Sequence, residues 1–366
     1  MNKKVCSFPI LFALLALLIG TCAVVFPASA QAAPTSTGSI TVSGTVASSY
    51  DAYQIFSANV VDGDSDAKIA TDLAWASNAV RDAALPVLHS AGMSNSQTTA
   101  QEAAEWLNAD SHLTSALSAQ LARSLQSSGA ESVALNAGTA AELSCGYWLI
   151  VADDDAIAQG EAGTAPIMAL VGGGAVTVKP KAATPKVAKH VLEDSTAAWQ
   201  KAADATVADD LYWRLSATVP AGLTAYDTYT VRFVDTMSAG LDPSKVAASM
   251  RVYVATGADG AFDAVQTGKD GRAGTEPAKG WTDITAQCAT KVAADGKTFT
   301  VRTGDLIAEL GGADAFTAGA RVVAVYNAPL NSACNHGIAK GNPNEVYLRY
   351  PRSPFADQSG DAGFTR

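Results

Sequence analysis

The sequence predicts a mainly β protein of two β-sandwich domains in tandem, the first carrying a helical insertion. Three observations predict it. Short runs of alternating apolar and polar residues, separated by Gly, Asp and Pro, recur along most of the chain. One stretch in the first half changes to a spacing of three and four. A seam rich in proline and lysine divides the chain near its middle.

The first segment is set apart from either domain. Lys3 and Lys4 precede an apolar run from Phe8 to Phe26, which ends in Pro27-Ala28-Ser29-Ala30. A basic start, an apolar core and a small-x-small site predict a secretory signal peptide over 1–30, cleaved after Ala30, rather than a retained membrane anchor. The mature chain is then an exported protein. Loss of the two lysines takes the formal charge from −10 to −12, which disfavours nucleic acid and anionic membrane as partners.

The first domain is expected over 36–180. Ser39 to Val46 alternates as a half-buried strand does, and Asp51 to Phe56 continues in that style. From Ala67 to His89, and again from Thr99 to Leu125, Ile69, Leu73, Val80, Trp106, Leu113, Leu117 and Leu121 fall at helical spacing, so amphipathic helices are expected. Strands return at Cys145–Val151, Ile167–Leu170 and Ala175–Val178. The seam follows, Lys179-Pro180-Lys181-Ala182-Ala183-Thr184-Pro185-Lys186, an extended linker without a bulky apolar residue.

The second domain is expected over 184–352. Strand signals lie at Val187–Leu192, Leu211–Val219, Thr228–Asp235, Met250–Val254, Thr298–Arg302, Ala320–Tyr326 and Glu345–Tyr350, with a short helix at Thr303–Leu310. Seven short strands between turn residues are the pattern of an immunoglobulin-like sandwich. Residues 353–366 are expected to form a linker to a further domain.

The chemistry-bearing residues exclude several classes. Cys145, Cys288 and Cys334 remain after the signal, with no CxxC or Cys/His spacing, so neither a metal nor a redox site is expected. In an oxidising compartment Cys288 and Cys334, both in the second domain, are expected to pair, leaving Cys145 as a buried thiol. Asp62-Gly63-Asp64-Ser65-Asp66 alternates like a calcium loop, but Leu73 stands where the bidentate glutamate belongs, so a solvated turn is expected. No cofactor signature and no nucleophile–base constellation is present.

Several motifs in order resemble the backbone pilins that Gram-positive bacteria polymerise with sortase. They are Val176-Thr177-Val178-Lys179-Pro180-Lys181, Thr184 to Val191, Phe233-Val234-Asp235-Thr236-Met237-Ser238-Ala239-Gly240-Leu241 and Gly341-Asn342-Pro343-Asn344-Glu345-Val346-Tyr347-Leu348. Ala52 to Phe56 and Gly146 to Leu149 add to the likeness. The resemblance implies Cna-type immunoglobulin-like domains and a structural subunit of a covalently polymerised pilus, secreted and held at the cell wall. Its partners would be identical subunits, a class C pilin sortase and a host-surface ligand. It also implies an intramolecular isopeptide bond in the second domain. The self-reaction occurs once per molecule, so the protein is not an enzyme. The alternative function is a tip or minor adhesin recognising host protein or glycan. By the same resemblance the chain is expected to be a fragment, since no further sandwich domain and no Leu-Pro-x-Thr-Gly signal follow in the sequence.

An isopeptide bond needs an uncharged lysine, a protonated acid and an asparagine, all withdrawn from water, because desolvation lowers a lysine pKa and raises that of an acid. Strand parity tests this, since alternate residues face one side. Lys189 is in phase with Val187 and Val191, Asp235 with Val231 and Phe233, and Asn344 with Val346 and Leu348. Lys189 and Asn344 are therefore the expected crosslink and Asp235 the assisting acid. Asn327, in phase with Val323 and Val325, is the second candidate acceptor, and Asn342 the third. Lys181 is in phase with Thr177 and Lys179 and out of phase with Val176 and Val178, so it is expected to face solvent. By resemblance it is the sortase acceptor lysine, although Lys179 replaces the tyrosine of the family's motif.

Overall fold

A computed structural model describes residues 36–63, 67–109, 111–180, 184–221, 223–257, 280–336, 341–354 and 359–366. The expected signal segment and Lys181 lie outside the described residues.

In the first half, alternation along two strands sorts two cores. The elements run β1 (Thr37–Val42), β2 (Ser49–Asp62), β3 (Lys68–Trp75), α1 (Asn78–Ser90), α2 (Ala100–Asn108), α3 (Ser115–Ser128), β4 (Val133–Asn136), β5 (Ala140–Ser144), β6 (Gly146–Ala152), β7 (Ile167–Val171) and β8 (Val176–Val178). A sheet of order β5-β1-β8 faces a sheet of order β3-β2-β6-β7, to which β4 adds by pairing with β2. Tyr50, Ala52, Trp148 and Ile150 point into the space between the sheets with Ile40 and Val42. Their out-of-phase neighbours Tyr53, Ile55, Leu149 and Val151 point the other way, onto the three helices. The helical insertion thus covers the outer face of the larger sheet.

The helix expected from Ala67 begins later. Lys68–Trp75 forms β3, paired antiparallel with β2, and α1 starts only after Ser77, whose hydroxyl accepts from the Val80 backbone N–H. Asp62 bonds Lys68 at 3.0 Å and accepts from the Gly174 N–H at 2.7 Å, tying the β2–β3 turn to the turn between β7 and β8. Thr99 and Glu102 cap α2 reciprocally, Thr114 caps α3, and Gly129 closes α3 in the left-handed region at φ 69°.

The second half holds β9 (Val187–Glu193), β10 (Ala198–Gln200), β11 (Tyr212–Thr218), β12 (Arg232–Met237), β13 (Arg251–Ala255), β14 (Thr282–Asp283), β15 (Ala289–Val292), β16 (Thr298–Arg302), β17 (Arg321–Asn327), β18 (Asn344–Tyr350) and β19 (Gly363–Thr365). Each of the seven expected strands is present within a few residues. The expected helix is one turn, Leu306–Glu309, and Asp305 is its N-cap. A sheet of order β10-β9-β11-β17-β13-β14 packs on one of order β15-β16-β12-β18-β19. Leu215, Phe233, Val252, Phe299, Val301, Val322, Ala324, Tyr326 and Leu348 fill the space between them. The first sheet is apolar on its outer face too, where Leu192, Tyr212, Tyr253, Val323 and Val325 gather with Trp281. The segment expected as a linker after 352 supplies β19, antiparallel to β18.

The expected Cys288–Cys334 disulfide is absent; both are free thiols, as is Cys145. Cys288 precedes Ala289, which pairs with Arg302, and Arg302 pairs with Arg232 at the start of β12. Cys334 packs against Gly240, beyond the end of β12 at Met237. The two cysteines therefore sit at opposite ends of a strand roughly 17 Å long at about 3.3 Å per residue, well beyond disulfide reach. Cys145 is buried beside Ala58, Val60 and Ala70, as expected for a structural thiol.

Candidate functional site

Four strands, two from each sheet, bring one polar chain into the apolar interior of the second sandwich. β9 carries Lys189 on its inward face, with Val191 in the core on one side and Val187 packed against it on the other. β12, the central strand of the opposing sheet, carries Asp235 in phase with Phe233, both fully buried. β18 pairs with β12 so that Asp235 lies opposite Val346 and Met237 opposite Asn344. At the β12–β18 end, Gly240 admits this register: a Cβ there would stand 2.1 Å from Asn342 Oδ1 and 2.7 Å from the Cys334 backbone.

Lys189 Nζ donates to Asp235 Oδ2. Tyr326 Oη, fully buried on β17, also donates to Asp235 Oδ2, at 3.2 Å. Asn344 Nδ2 in turn donates to Tyr326 Oη at 2.9 Å. Lysine, carboxylate, phenol and amide thus form one hydrogen-bonded chain. Aromatic rings wall it. Lys189 Nζ lies 5.1 Å from the centroid of Trp213 and 5.8 Å from that of Tyr326, and Phe299 meets Tyr326 edge-on at 4.7 Å. Asp235 Oδ1 and Asn344 Oδ1 are buried without a hydrogen-bond partner. An orphaned buried acceptor costs about 1–3 kcal/mol, a destabilisation that packing alone does not explain.

Burial sets the electrostatics. Desolvation pulls Lys189 down to about 8 against the attraction of Asp235, and pushes Asp235 up to about 6 against the same attraction. In water the proton affinities of the two groups differ by roughly 7 pH units; here they differ by about 2. Burial therefore brings the cost of moving the proton from lysine to aspartate well below its value in water.

The other two candidate acceptors are placed elsewhere. Asn327 follows Tyr326 on β17 and faces the outer side with Val323 and Val325, where it donates to Asp210 at 2.8 Å. Lys245 bonds that same Asp210 oxygen, but it is half exposed and its pKa is raised by the Asp210 hydrogen bond, so it stays charged. Asn342 is occupied with the Asn335 backbone in a loop. Strand parity located Lys189, Asp235 and Asn344, and it missed Tyr326 and Trp213. The signal for Tyr326 was a tyrosine ending an apolar strand, Val322 to Tyr326, with a hydroxyl that needs a buried partner.

Around the expected acceptor lysine, Thr177 and Lys179 are exposed and Val178 is buried. Among the described residues, no group of three His, Cys, Asp or Glu side chains is placed to hold a metal. No described helix is long and apolar enough to cross a membrane.

No protein-family model and no curated protein matches the chain. Solved structures of Gram-positive backbone pilins are similar to it. The T6 backbone pilin of serotype M6 Streptococcus pyogenes, a modular three-domain protein, is 15% identical with a TM-score of 0.47, over 87% of this chain and 58% of its own. The major pilin SpaD from Corynebacterium diphtheriae is 15% identical with a TM-score of 0.40, over 87% and 63%. The major pilin SpaA from the same species, whose structure points to a modular pilus assembly stabilizing isopeptide bonds, is 12% identical with a TM-score of 0.41, over 90% and 67%. The chain spans about three fifths of the first two pilins.

Proposed function

We propose that the chain is part of a structural subunit of an extracellular pilus, and that its second sandwich crosslinks itself through Lys189 and Asn344. The observation that carries this is the buried chain from Lys189 through Asp235 and Tyr326 to Asn344. Neutral Lys189 Nζ attacks Asn344 Cγ, the Cγ–Nδ2 bond breaks, and the amide nitrogen leaves as ammonia. Asp235, which holds the proton given up by Lys189 in this reactive form, passes one proton to the leaving nitrogen and takes one from Nζ, so it is unchanged from that form and no co-reactant is consumed.

Polymerisation is the second part of the reading. Lys181, in the seam between the sandwiches, is the amine that receives the C-terminal acyl group of the next subunit from a sortase. Support comes from the resemblance of 176–181 to the pilin motif and from the exposure of Thr177 and Lys179 on the same phase.

Intact-mass spectrometry of the mature chain tests the crosslink. The expected mass is lower by one ammonia, and the loss disappears in Lys189→Ala and in Asn344→Ala. An unmodified mass in a correctly folded protein overturns it. For polymerisation, peptide mapping of fibres sheared from cells is expected to return a branched peptide containing Lys181. A branch at Lys179 or at another lysine overturns that assignment.

A further inference from the structure

The described hydrogen bonds join Asp235 to Asn344 only through Tyr326. Resting on the crosslink reading above, we infer that Tyr326 is a catalytic residue of that reaction, the proton relay between Asp235 and the departing amide nitrogen of Asn344. Tyr326 is 0% exposed, and its hydroxyl touches both groups, at 3.2 Å and 2.9 Å. Its ring is held by the edge-on contact with Phe299, and its strand is fixed on both sides by β11 and β13.

The chemistry needs such a relay at one step. A planar amide nitrogen is a donor with no lone pair free, and Asn344 Nδ2 is accordingly the donor to Tyr326 Oη. Once Lys189 Nζ has added to Asn344 Cγ, that nitrogen becomes a tetrahedral amine with a lone pair, and the same contact reverses. Tyr326 then gives its hydroxyl proton to Nδ2 as the Cγ–Nδ2 bond breaks. It recovers a proton from Asp235 Oδ2, and Asp235 takes the one released by Lys189 Nζ. Ammonia carries away the transferred proton, and tyrosine and aspartate are unchanged overall. The phenol need not ionise in the resting protein, where burial holds its pKa well above the ordinary value.

The test dilutes the unfolded, uncrosslinked mature chain from denaturant and follows loss of ammonia by mass against time. Tyr326→Phe keeps the ring and its packing and removes the relay, and it is expected to slow the reaction at least about a hundredfold, the scale of general acid–base catalysis. A second arm places a ring-fluorinated tyrosine at 326, which keeps the shape and makes the phenol more acidic; the rate is expected to change. A wild-type chain that refolds without losing ammonia overturns the crosslink and this inference with it. A wild-type chain that crosslinks while Tyr326→Phe keeps pace within a few-fold, or while fluorination leaves the rate unchanged, overturns the relay alone. Should Tyr326→Phe fail to fold, the fluorinated chain decides.

Discussion

At the scale of residues, the second sandwich places an acid and a base where neither is comfortable as an ion. Lys189 and Asp235 share one proton, and in the proposed crosslinking only the form with that proton on aspartate is reactive. That form and the ion pair hold the same number of protons, so their ratio does not depend on pH. What depends on pH is the fraction of molecules holding one proton between the two groups. Below about 6 the pair gains a second proton, on Asp235, while Lys189 stays charged; above about 8, the single proton is lost. The crosslinking rate of the folded domain is therefore expected to be bell-shaped, highest between about 6 and 8 and falling about tenfold per pH unit on either side. Refolding the uncrosslinked chain across this range, with ammonia loss followed by mass, checks it. A rate that keeps rising above pH 9 would show that free lysine alone limits the reaction.

At the scale of elements, what the sequence revealed depended on whether a strand has one wet face. β9, β12 and β18 each run beside solvent on one side: His190 is only partly buried, Thr236 is exposed beside Asp235, and Glu345 is exposed beside Asn344. Alternation there is informative, and parity picked out the three polar residues turned inward. β17 is buried on both faces, between the inter-sheet core and the outer cluster, so every residue from Val322 to Asn327 is covered. Parity then cannot tell which apolar set faces which core. That is why Asn327 read as an inward residue and Tyr326, its neighbour on the true inner face, went unnoticed. β3 was misread for a related reason. Ile69 and Leu73 stand four apart as on a helix, yet the pairing with β2 decides the segment, and pairing is not local. The disulfide failed on geometry of the same non-local kind, since membership of one domain does not say which end of the sandwich a cysteine occupies.

At the scale of the whole molecule, the two sandwiches do more than share a linker. Arg123, at the middle of α3, reaches across to the second sandwich and donates to Asp227 Oδ1 at 3.0 Å and to the backbone oxygens of Ala225 and Pro354, each at 2.9 Å. In addition, Thr184 donates to Glu161 at 2.7 Å, the Gly163 N–H donates to the Arg352 carbonyl at 2.6 Å, and Ala162 lies within the second core. A pulled fibre would then load a paired unit, with the proposed crosslink joining β9 to β18 inside one half. The Arg123 guanidinium is spread over these three acceptors, with its side chain 25% exposed. Its removal is expected to loosen this seam while each core, closed on itself, stays folded. Hydrogen bonds to a charged group contribute about 1.5–3 kcal/mol when dry, less here because solvent reaches Asp227. Spin labels at Ser96→Cys and Lys297→Cys, both exposed and one in each half, report the separation. Cys145 and Cys334 are buried, and partial burial pushes the Cys288 thiol up to about 12, so labelling is directed to the introduced sites. In Arg123→Ala the distribution of distances is expected to broaden with both sandwiches still cooperative in thermal unfolding. A distribution as narrow as that of the parent would place the rigidity in the Glu161–Thr184 contact and the Ala162 anchor instead.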